Sequence, residues 1–442
     1  MPRIHKFSVL GIFCVADIAS GAVHVLSETA YNALDNFTES GEYVGAQMSE
    51  AEAELLMLKD RGELFTPDVY REIANHWEKQ SVIKALCLHI AHDCNLRCRY
   101  CFAHGGEYMG KRELMSAKVG KAAIDFVIKE SKNRRNIEID YFGGEPLMNF
   151  DTVREITNYA KEQGREHDKE FRFTITTNGM LLDDKKIEYI NENMSNVVLS
   201  LDGRKEVHDS VRVRLDGSGS YDAVVPKFQK LVKGRGEKSY YVRGTFTRDN
   251  LDFLNDVKHI HSLGFEQISV EPVVAKANES YALCESDLPE IFKQYEQLAL
   301  DLVKTRKEGG FYNFFHFMID FEQGPCAYKR LAGCGSGHEY AAVTPNGDIY
   351  PCHQFVSDKS FKMGDVFRGI TNSAVREKFL RSNIYTKKGC SECWARFYCS
   401  GGCAANAYQM NGDIEKPYSI ACEMEKKRVE CAIAAAALLA QT

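Results

Sequence analysis

The chain has 442 residues, 15 cysteines and a formal net charge of −6, a length that suggests two or three domains. A mildly acidic chain without a basic stripe is not typical of a nucleic-acid-binding protein. The early apolar run "FSVLGIFCVAD" is short and interrupted by Asp17, so it does not predict a signal peptide. The end "CAIAAAALLAQT" is too short to cross a bilayer, and we expect it to be a helix packed on its own domain. We expect a cytoplasmic protein without membrane contact, whose thiols bind metal because reducing conditions disfavour disulfides.

Residues 1–80 are predicted to form a small module of strands followed by helices. Alternating apolar residues in "KFSVLGIFCVADI" and "AVHVL" predict two strands around a turn at Ser20 and Gly21. Ser49 begins a capping box, and Pro67 suits the first turn of a helix. The predicted helices cover residues 28–37, 50–61 and 67–78. This order resembles the winged-helix-like peptide recognition module of enzymes that modify ribosomal peptides; an inert N-terminal cap is the alternative.

Residues 81–315 alternate between predicted strands and amphipathic helices. Six such units predict an α/β fold with a parallel sheet, either doubly wound or an incomplete (β/α)6 barrel. The predicted strands are Val82–Ile90, Ile137–Phe142, Phe171–Thr176, Val197–Leu201, Tyr240–Phe246 and Gln267–Glu271. Candidate site segments follow or end these strands, where parallel sheets carry their active sites: a three-cysteine loop, GGEP (143–146), TNG (177–179), SLDG (200–203), TRDN (247–250) and VEPV (270–273).

The loop after the first of these strands contains Cys94, Cys98 and Cys101 in the spacing C-x3-C-x2-C. A cubane iron–sulfur cluster has four irons, so three thiolates leave one iron open to a small molecule. A structural zinc site needs a closed set of four ligands, which His92 or His104 could complete. Spacing alone leaves both kinds of site open.

Residues 316–442 hold a second group of cysteines and a predicted hairpin, "AAVTPNGDIYPC", with its turn at Asn346 and Gly347. Twelve residues separate Cys334 from that glycine, and four residues separate the glycine from Cys352. The pattern Cys390-x2-Cys393-x5-Cys399-x3-Cys403 follows, and eighteen residues separate Cys403 from Cys422. Ligation of zinc by Cys390, Cys393, Cys399 and Cys403 is an alternative use of part of this set.

The first cysteine motif, with Tyr100 before its last cysteine, resembles the signature of radical S-adenosylmethionine (SAM) enzymes, and GGEP resembles their SAM-binding motif. The resemblance implies that SAM occupies the open iron and that its reductive cleavage gives a 5′-deoxyadenosyl radical. It further implies SAM contacts from the backbone around Gly143, Gly144 and Glu145 to the methionine amino group and from the backbone of Val270 to adenine. Ser200 would then bind a ribose hydroxyl, and Arg212 the methionine carboxylate, which its planar fork fits.

The later cysteines resemble the seven-cysteine SPASM pattern of radical SAM enzymes that modify peptides and proteins. That resemblance implies two auxiliary [4Fe–4S] clusters, hence three clusters in all. Cys334, Cys352 and Cys403 would serve the first auxiliary cluster. The second would be held by Cys390, Cys393, Cys399 and Cys422. For the first, Cys326 is a possible fourth ligand; the alternative is an iron left open for a substrate thiolate.

The overall layout resembles the maturases of SCIFF (six-cysteines-in-forty-five-residues) peptides, which form thioether crosslinks. His353 follows Cys352 directly, where sulfatase maturases that make formylglycine carry an aspartate base, so His353 is a candidate base. The implied partners are a cysteine-rich precursor peptide, bound through its leader, and an electron donor such as flavodoxin or ferredoxin. The alternatives are a sulfatase-type maturase and a metal-bearing peptide-binding protein that is not an enzyme.

Overall fold

The computed structural model describes residues 2–76, 81–108, 110–321 and 327–441. By contacts the chain divides into two units. The first unit comprises residues 1–78, 284–333 and 382–442, and the second comprises residues 79–283 and 334–381. The predicted domains 1–80, 81–315 and 316–442 were drawn from motifs, and they stay predictions.

The elements follow in chain order. The N-terminal elements are β1 (Ile4–Val9), β2 (Ile12–Asp17), β3 (Val23–Leu26), α1 (Glu28–Ala33), α2 (Glu50–Asp60) and α3 (Tyr70–His76). The central elements are β4 (Ala85–His92), β5 (Leu96–Cys98), β6 (Glu113–Leu114), α4 (Ala117–Glu130), β7 (Asn136–Gly143), α5 (Phe150–Glu166), β8 (Glu170–Thr177), α6 (Asp184–Asn193), β9 (Asn196–Ser200), α7 (Lys205–Val211), β10 (Arg212–Arg214), α8 (Tyr221–Lys233), β11 (Ser239–Phe246), α9 (Phe253–Ser262) and β12 (Gln267–Pro272). The remaining elements are α10 (Leu288–Lys307), β13 (Asn313–Phe314), α11 (Ala327–Ala332), β14 (Tyr340–Val343), β15 (Asp348–Tyr350), β16 (Gly364–Asp365), β17 (Gly369–Ile370), α12 (Ser373–Arg381), α13 (Arg396–Cys399), α14 (Ala404–Asn411) and α15 (Ser419–Ala440).

The N-terminal part of the first unit is a three-stranded antiparallel sheet in the order β1-β2-β3, followed by three helices. The segment expected to be one strand is a hairpin, because Leu10 and Gly11 both have positive φ angles and reverse the chain. Helices α1 and α2 begin where expected, and the capping box at Ser49 and Glu52 is present. The third helix begins at Tyr70, so the prediction that Pro67 lies in its first turn is wrong; the Asp68 side chain accepts from the Tyr70 backbone N–H at this start. The end of the third predicted helix, 77–78, lies outside the described residues. The winged-helix resemblance stays a prediction.

The first unit joins this sheet to the cysteine-rich end of the chain. Ile18, which follows β2, shares a core cluster with Leu331 of α11, Ile384 and Phe397 of α13. The predicted C-terminal helix is α15, which packs against α10 and β1. In the described part of the chain, no helix has both the length and the apolar character needed to cross a bilayer.

The second unit is built on a sheet in which β12, β11, β9, β8, β7 and β4 lie side by side and parallel. All six predicted strands are present, and their chain order matches their spatial order. Helices α4, α5 and α9 pack on this sheet. This order of strands and helices is consistent with an incomplete (β/α)6 barrel. That the sheet curves into such a barrel stays a prediction.

The two faces of this sheet differ in burial, as strand alternation requires. One face is apolar and buried, with side chains such as Ile139, Ile175, Leu199, Val242 and Ile268. The other, here called the polar face, carries half-buried or exposed side chains: Glu138, Asp140, Phe142, Thr174, Thr176, Ser200, Arg243, Thr245 and Glu271. A sheet face of this composition is suited to a ligand rather than to a dry core.

The predicted hairpin of the cysteine-rich segment extends the same sheet. Strand β14 pairs parallel with β4 and antiparallel with β15. Only Gly347 of the predicted turn pair has a positive φ, 93°. Asn346 contributes instead through its side chain, whose Oδ1 accepts a hydrogen bond from the Asp348 backbone N–H at 3.2 Å.

Candidate active site

The three-cysteine loop is anchored by a two-stranded ribbon. Strand β5 contains Cys98 and pairs antiparallel with β10, which places Cys98 opposite Arg212. The Cys101 backbone N–H donates to the Cys98 carbonyl at 3.1 Å, which tightens the turn between them. The thiols of Cys94, Cys98 and Cys101 are free and partly exposed. The ribbon thus presents three thiols within one short loop.

Asp202 organises the charges beneath this loop. Its fully buried carboxylate accepts hydrogen bonds from Arg212 Nε at 2.9 Å and Nη2 at 3.2 Å. The Tyr100 hydroxyl donates to the same carboxylate at 2.6 Å. Burial raises the pKa of the Cys98 thiol to about 11, and the nearby Arg212 charge acts in the opposite direction. Arg212 is therefore a partner of Asp202 and a neighbour of Cys98, and its contact with a methionine carboxylate stays a prediction.

The GGEP segment packs directly on the cysteine loop. The Gly144 backbone N–H donates to the Ala91 carbonyl at 2.7 Å, and the Glu145 backbone N–H donates to the Asp93 carbonyl at 2.9 Å. A Cβ at Gly143 would lie 2.3 Å from Ala91 O, and one at Gly144 would lie 2.1 Å from Asp93 O. Gly143 also has a φ of 123°, a conformation that favours glycine. The two glycines are needed for this close approach of backbones.

The variant Gly144→Ala tests that close approach. The added methyl group meets backbone atoms, so the loop must shift at a cost of about 1–3 kcal/mol. We expect the affinity for SAM, measured by calorimetry, to fall roughly tenfold or more. Gly264→Ala, between α9 and β12, is the control for a backbone cost outside the site: its φ of 89° strains an alanine, but a Cβ there meets nothing within 4 Å. Equal SAM affinity in the two variants would contradict the packing argument.

Glu145 connects GGEP to the TNG segment. Its buried carboxylate accepts from Thr177 Oγ1 at 2.8 Å, from the Asn178 backbone N–H at 2.8 Å and from the Leu147 backbone N–H at 3.0 Å. Burial raises its pKa to about 7. Asn178 Nδ2 in turn lies 3.5 Å from Cys94 Sγ. The side chain of Glu145 therefore orders the loops around the site, and the predicted SAM contact of this segment falls to its backbone.

The other predicted SAM contacts lie on the sheet. Ser200 ends β9 on the polar face and is paired in register with Arg243. Val270 of β12 has its side chain in the buried face, so only its backbone remains for a ligand, as the prediction requires. The SLDG and TNG segments were predicted as site segments. The contacts of Asp202 with Tyr100 and of Asn178 with Cys94 were not predicted, because these partners are distant in sequence and no local spacing signals them.

His353 lies beside both SAM motifs. Its ring centroid is 5.6 Å from that of Phe102, which follows Cys101, and 5.0 Å from that of Phe142, which precedes Gly143. Its Nδ1 is buried without a hydrogen-bond partner among the described residues. Burial, and next the charge of Arg243, lower its pKa to about 4, so the imidazole is neutral at pH 7. A neutral imidazole has one nitrogen available to accept a proton.

The two histidines considered as zinc ligands have other surroundings. His92 Nε2 lies 2.9 Å from His89 Nδ1, and the His92 ring stacks on Tyr108. His104 is exposed in the turn after Cys101 and has a positive φ of 50°. None of these contacts joins either imidazole to the three thiols, so they give no support to closed zinc ligation.

Four of the later cysteines belong to the first unit. Cys390 and Cys393 lie in a turn closed by a 3.1 Å backbone hydrogen bond, Cys399 ends α13, and Cys422 lies in α15. Their electrostatic interactions with one another show that they are neighbours, and burial raises the pKa of Cys390 to about 11. These are the cysteines predicted to hold the second auxiliary cluster.

The cysteines predicted for the first auxiliary cluster are distributed between the units. Cys334 and Cys352 belong to the second unit and Cys403 to the first, so their grouping stays a prediction. Cys326, the possible fourth ligand of this cluster, lies outside the described residues.

Within the described residues, no group of three or more His, Cys, Asp or Glu side chains is arranged to hold a single metal ion. The fit to an iron–sulfur cluster rests instead on the donor set and its surroundings. Thiolates are the usual ligands of such clusters. The Arg212 charge beside Cys98 compensates thiolate charge. The three thiols and this charge therefore fit an iron–sulfur cluster at the loop.

Comparison with known proteins agrees with this site. Residues 88–251 match the radical SAM superfamily, and residues 334–394 match the SPASM iron–sulfur cluster-binding domain. A cysteine-type anaerobic sulfatase-maturating enzyme of Clostridium novyi is 25% identical over 331 residues, covering 71% of this chain and 86% of that enzyme.

Two solved structures share the fold. The structure of anSMEcpe with bound SAM and the Kp18Cys peptide has a TM-score of 0.66 at 20% identity and covers 81% of this chain and 99% of its own. Streptococcus suis SuiB bound to the precursor peptide SuiA has a TM-score of 0.54 at 16% identity and covers 94% of this chain and 97% of its own. The cysteine loop, the GGEP packing and these matches together identify the chain as a radical SAM superfamily enzyme with a SPASM domain.

Proposed function

We propose that this enzyme forms thioether bonds between a cysteine sulfur and a carbon atom within a cysteine-rich precursor peptide. The observation that carries the proposal is the three-stranded module of residues 2–76 in a chain that also has radical SAM and SPASM domains. SuiB, whose structure contains a precursor peptide, covers 94% of this chain, against 81% for anSMEcpe. The fuller coverage supports a peptide maturase with its own recognition module.

The module offers a place for a leader peptide at the edge of β3. Strand β3 pairs with β2 on one side, and none of the described strands pairs with its other side. Val25 of this strand is exposed. An extended peptide can add to such an edge, with main-chain hydrogen bonds giving affinity. We assign the leader of the precursor to this edge.

The cofactors define what the remaining residues must do. When bound, the cluster and SAM would supply a 5′-deoxyadenosyl radical that removes a hydrogen atom from the peptide. The proposed SAM contacts are the backbone at Gly143, Gly144 and Val270, with Ser200 and Arg212. His353 is the proposed acceptor of the substrate thiol proton, because its ring lies beside both SAM motifs and its buried Nδ1 has no hydrogen-bond partner among the described residues. The proposed auxiliary-cluster cysteines would hold the clusters that accept the electron released when the carbon–sulfur bond forms.

A sulfatase-type maturase is the second candidate, and the similarity to the sulfatase-maturating enzyme of Clostridium novyi favours it. That candidate requires a base close to the SAM site to support oxidation of a cysteine or serine side chain. By resemblance, such maturases have an aspartate directly after the hairpin cysteine, and this chain has His353 there. The substitution and the N-terminal module together support crosslinking over simple oxidation.

Mass spectrometry of the reacted peptide tests the choice. The probe is a precursor of about fifty residues with six cysteines, incubated with reduced enzyme and SAM. A thioether removes two hydrogen atoms and one titratable thiol while the sulfur stays in the peptide. Formation of formylglycine from cysteine removes the sulfur. We expect the first result, with turnover at least about tenfold lower for a precursor without its leader, because the leader contributes binding energy.

Loss of sulfur from the product would show the sulfatase-type activity instead. An unchanged precursor, in the presence of SAM cleavage, would contradict both candidates.

A further inference from the structure

Arg243 is a charged side chain in the middle of the polar face. It belongs to β11, where it lies in register with Ser200 of β9 on one side and Ser269 of β12 on the other. The buried residues Val242 and Gly244 flank it along the strand, so the guanidinium projects from the polar face. About half of its side chain, 52%, is exposed.

The partner of Arg243 within the chain is only loosely held. The guanidinium Nη2 lies 3.7 Å from Glu271 Oε1, a distance that makes an ion pair but no hydrogen bond. A guanidinium has five N–H donors in a planar fork, so donors remain available for a ligand. This ion pair contributes little to the stability of the fold, since exposed ion pairs contribute at most about 1 kcal/mol.

Arg243 lies beside Ser200, a proposed SAM contact, and its charge also reaches His353. Its charge acts on His353, whose ring lies 5.0 Å from Phe142 and 5.6 Å from Phe102. Those two phenylalanines adjoin the GGEP segment and the cysteine loop. A peptide that lies on the polar face beside Ser200 would therefore be within reach of Arg243.

The charge around Arg243 selects the group that it binds. Glu271 already provides a carboxylate at ion-pair distance. An acidic side chain of the peptide would therefore be attracted by Arg243 and repelled by Glu271. A backbone carbonyl is neutral, accepts two hydrogen bonds and is present at every peptide residue. It also allows one site to hold a precursor at several cysteines with different neighbours.

We propose that Arg243 is a positioning residue that holds the substrate peptide by a backbone carbonyl next to the residue that loses hydrogen. This inference rests on the proposed function, because it requires a peptide on the polar face. Its effect is on geometry: a displacement of about 1 Å at a reacting centre can cost a hundredfold in rate. The radical would then form without reaching its target carbon.

The test compares Arg243→Gln and Arg243→Lys with Arg172→Gln. Arg172 is an exposed arginine at the amino end of β8 on the same sheet face, away from GGEP, and is the matched control. The measured quantity is the number of 5′-deoxyadenosine molecules formed per modified precursor, together with the affinities for SAM and for the leader. We expect the ratio to rise about tenfold or more in Arg243→Gln, less in Arg243→Lys, and not at all in Arg172→Gln.

Both affinities should remain as in the wild type, which separates positioning from a folding defect. An unchanged ratio in Arg243→Gln would overturn the inference, as would loss of SAM affinity, which would make Arg243 a cofactor contact. An equal rise in Arg172→Gln would also overturn it. If the wild-type enzyme forms no modified peptide at all, the proposed function is wrong and this inference falls with it.

Discussion

The triple variant Cys94→Ala, Cys98→Ala, Cys101→Ala should retain about eight irons per chain and form no 5′-deoxyadenosine from SAM. The three thiols share one loop that β5 and β10 hold beneath GGEP. Their removal takes away every predicted protein ligand of one cluster. The cysteines predicted to hold the other two clusters lie elsewhere in the chain and are untouched. Iron analysis and chromatography of the reaction products measure the two outcomes.

Cys14→Ala is the matched control for this experiment. Cys14 is fully buried in β2 and belongs to neither cysteine motif. Its replacement should leave about twelve irons and full SAM cleavage. Reductive cleavage of SAM by the triple variant would refute the assignment of the loop, and a content of about one zinc with little iron in the wild type would refute the cluster chemistry altogether.

The variant Asp68→Ala should destabilise the first unit by about 3–5 kcal/mol. Asp68 precedes α3, and its carboxylate accepts from Arg396 Nη2 at 3.0 Å and from the Tyr385 hydroxyl at 2.8 Å. The side chains of Arg396 and Asp68 are only 1% and 8% exposed. Removing the carboxylate leaves the arginine charge buried without its acidic partner. Thermal and denaturant unfolding measure the loss.

The same variant should lower iron content, because Arg396 lies between Cys393 and Cys399. Two further variants isolate the cause. Replacing both partners, as Asp68→Ala with Arg396→Met, should recover much of the stability, since apolar groups often replace a buried ion pair without loss. Lys293→Ala breaks an exposed pair with Glu290 in the same unit and should cost less than about 1 kcal/mol. Wild-type stability of Asp68→Ala would show that the buried pair is unimportant.

This ion pair changes how the N-terminal module should be tested. Deletion of residues 1–78 would be the simplest test of a separate recognition module. The structure places residues 1–78 in the same unit as residues 382–442, with Ile18 and Phe397 in one core cluster. Deletion would expose that cluster and leave Arg396 without Asp68. A shortened precursor therefore tests leader recognition more directly than a shortened enzyme.

Local patterns predicted the strands well and the N-terminal turn poorly. Alternating and continuous apolar runs located all six parallel strands within a few residues, because burial on one or both faces imposes those patterns. The turn at Leu10 and Gly11 was missed, since leucine is an unusual residue for a positive φ. The alanine-rich C-terminal helix was expected to pack within the protein, and α15 does so.

The candidate site was predictable where its chemistry is local. The cysteine spacings and the glycine pair are continuous in sequence, and the packing of Gly143 and Gly144 explains why no larger residue fits. The partner of Arg212 was not predictable, because Asp202 could equally have capped its own turn. Sequence likewise gave no reason to place His353 beside Phe102 and Phe142, which are separated from it by more than two hundred residues.

Transfer of deuterium from the precursor to 5′-deoxyadenosine tests the central claim most directly. A precursor with deuterium at its carbon-bound positions is incubated with the reduced wild-type enzyme and SAM, and the nucleoside product is analysed by mass spectrometry. If the radical acts on the peptide, 5′-deoxyadenosine carries one deuterium for each thioether formed, and the crosslinked peptide has lost that deuterium. Production of 5′-deoxyadenosine without deuterium, from a precursor that binds the enzyme, would contradict the claim that this peptide is the substrate.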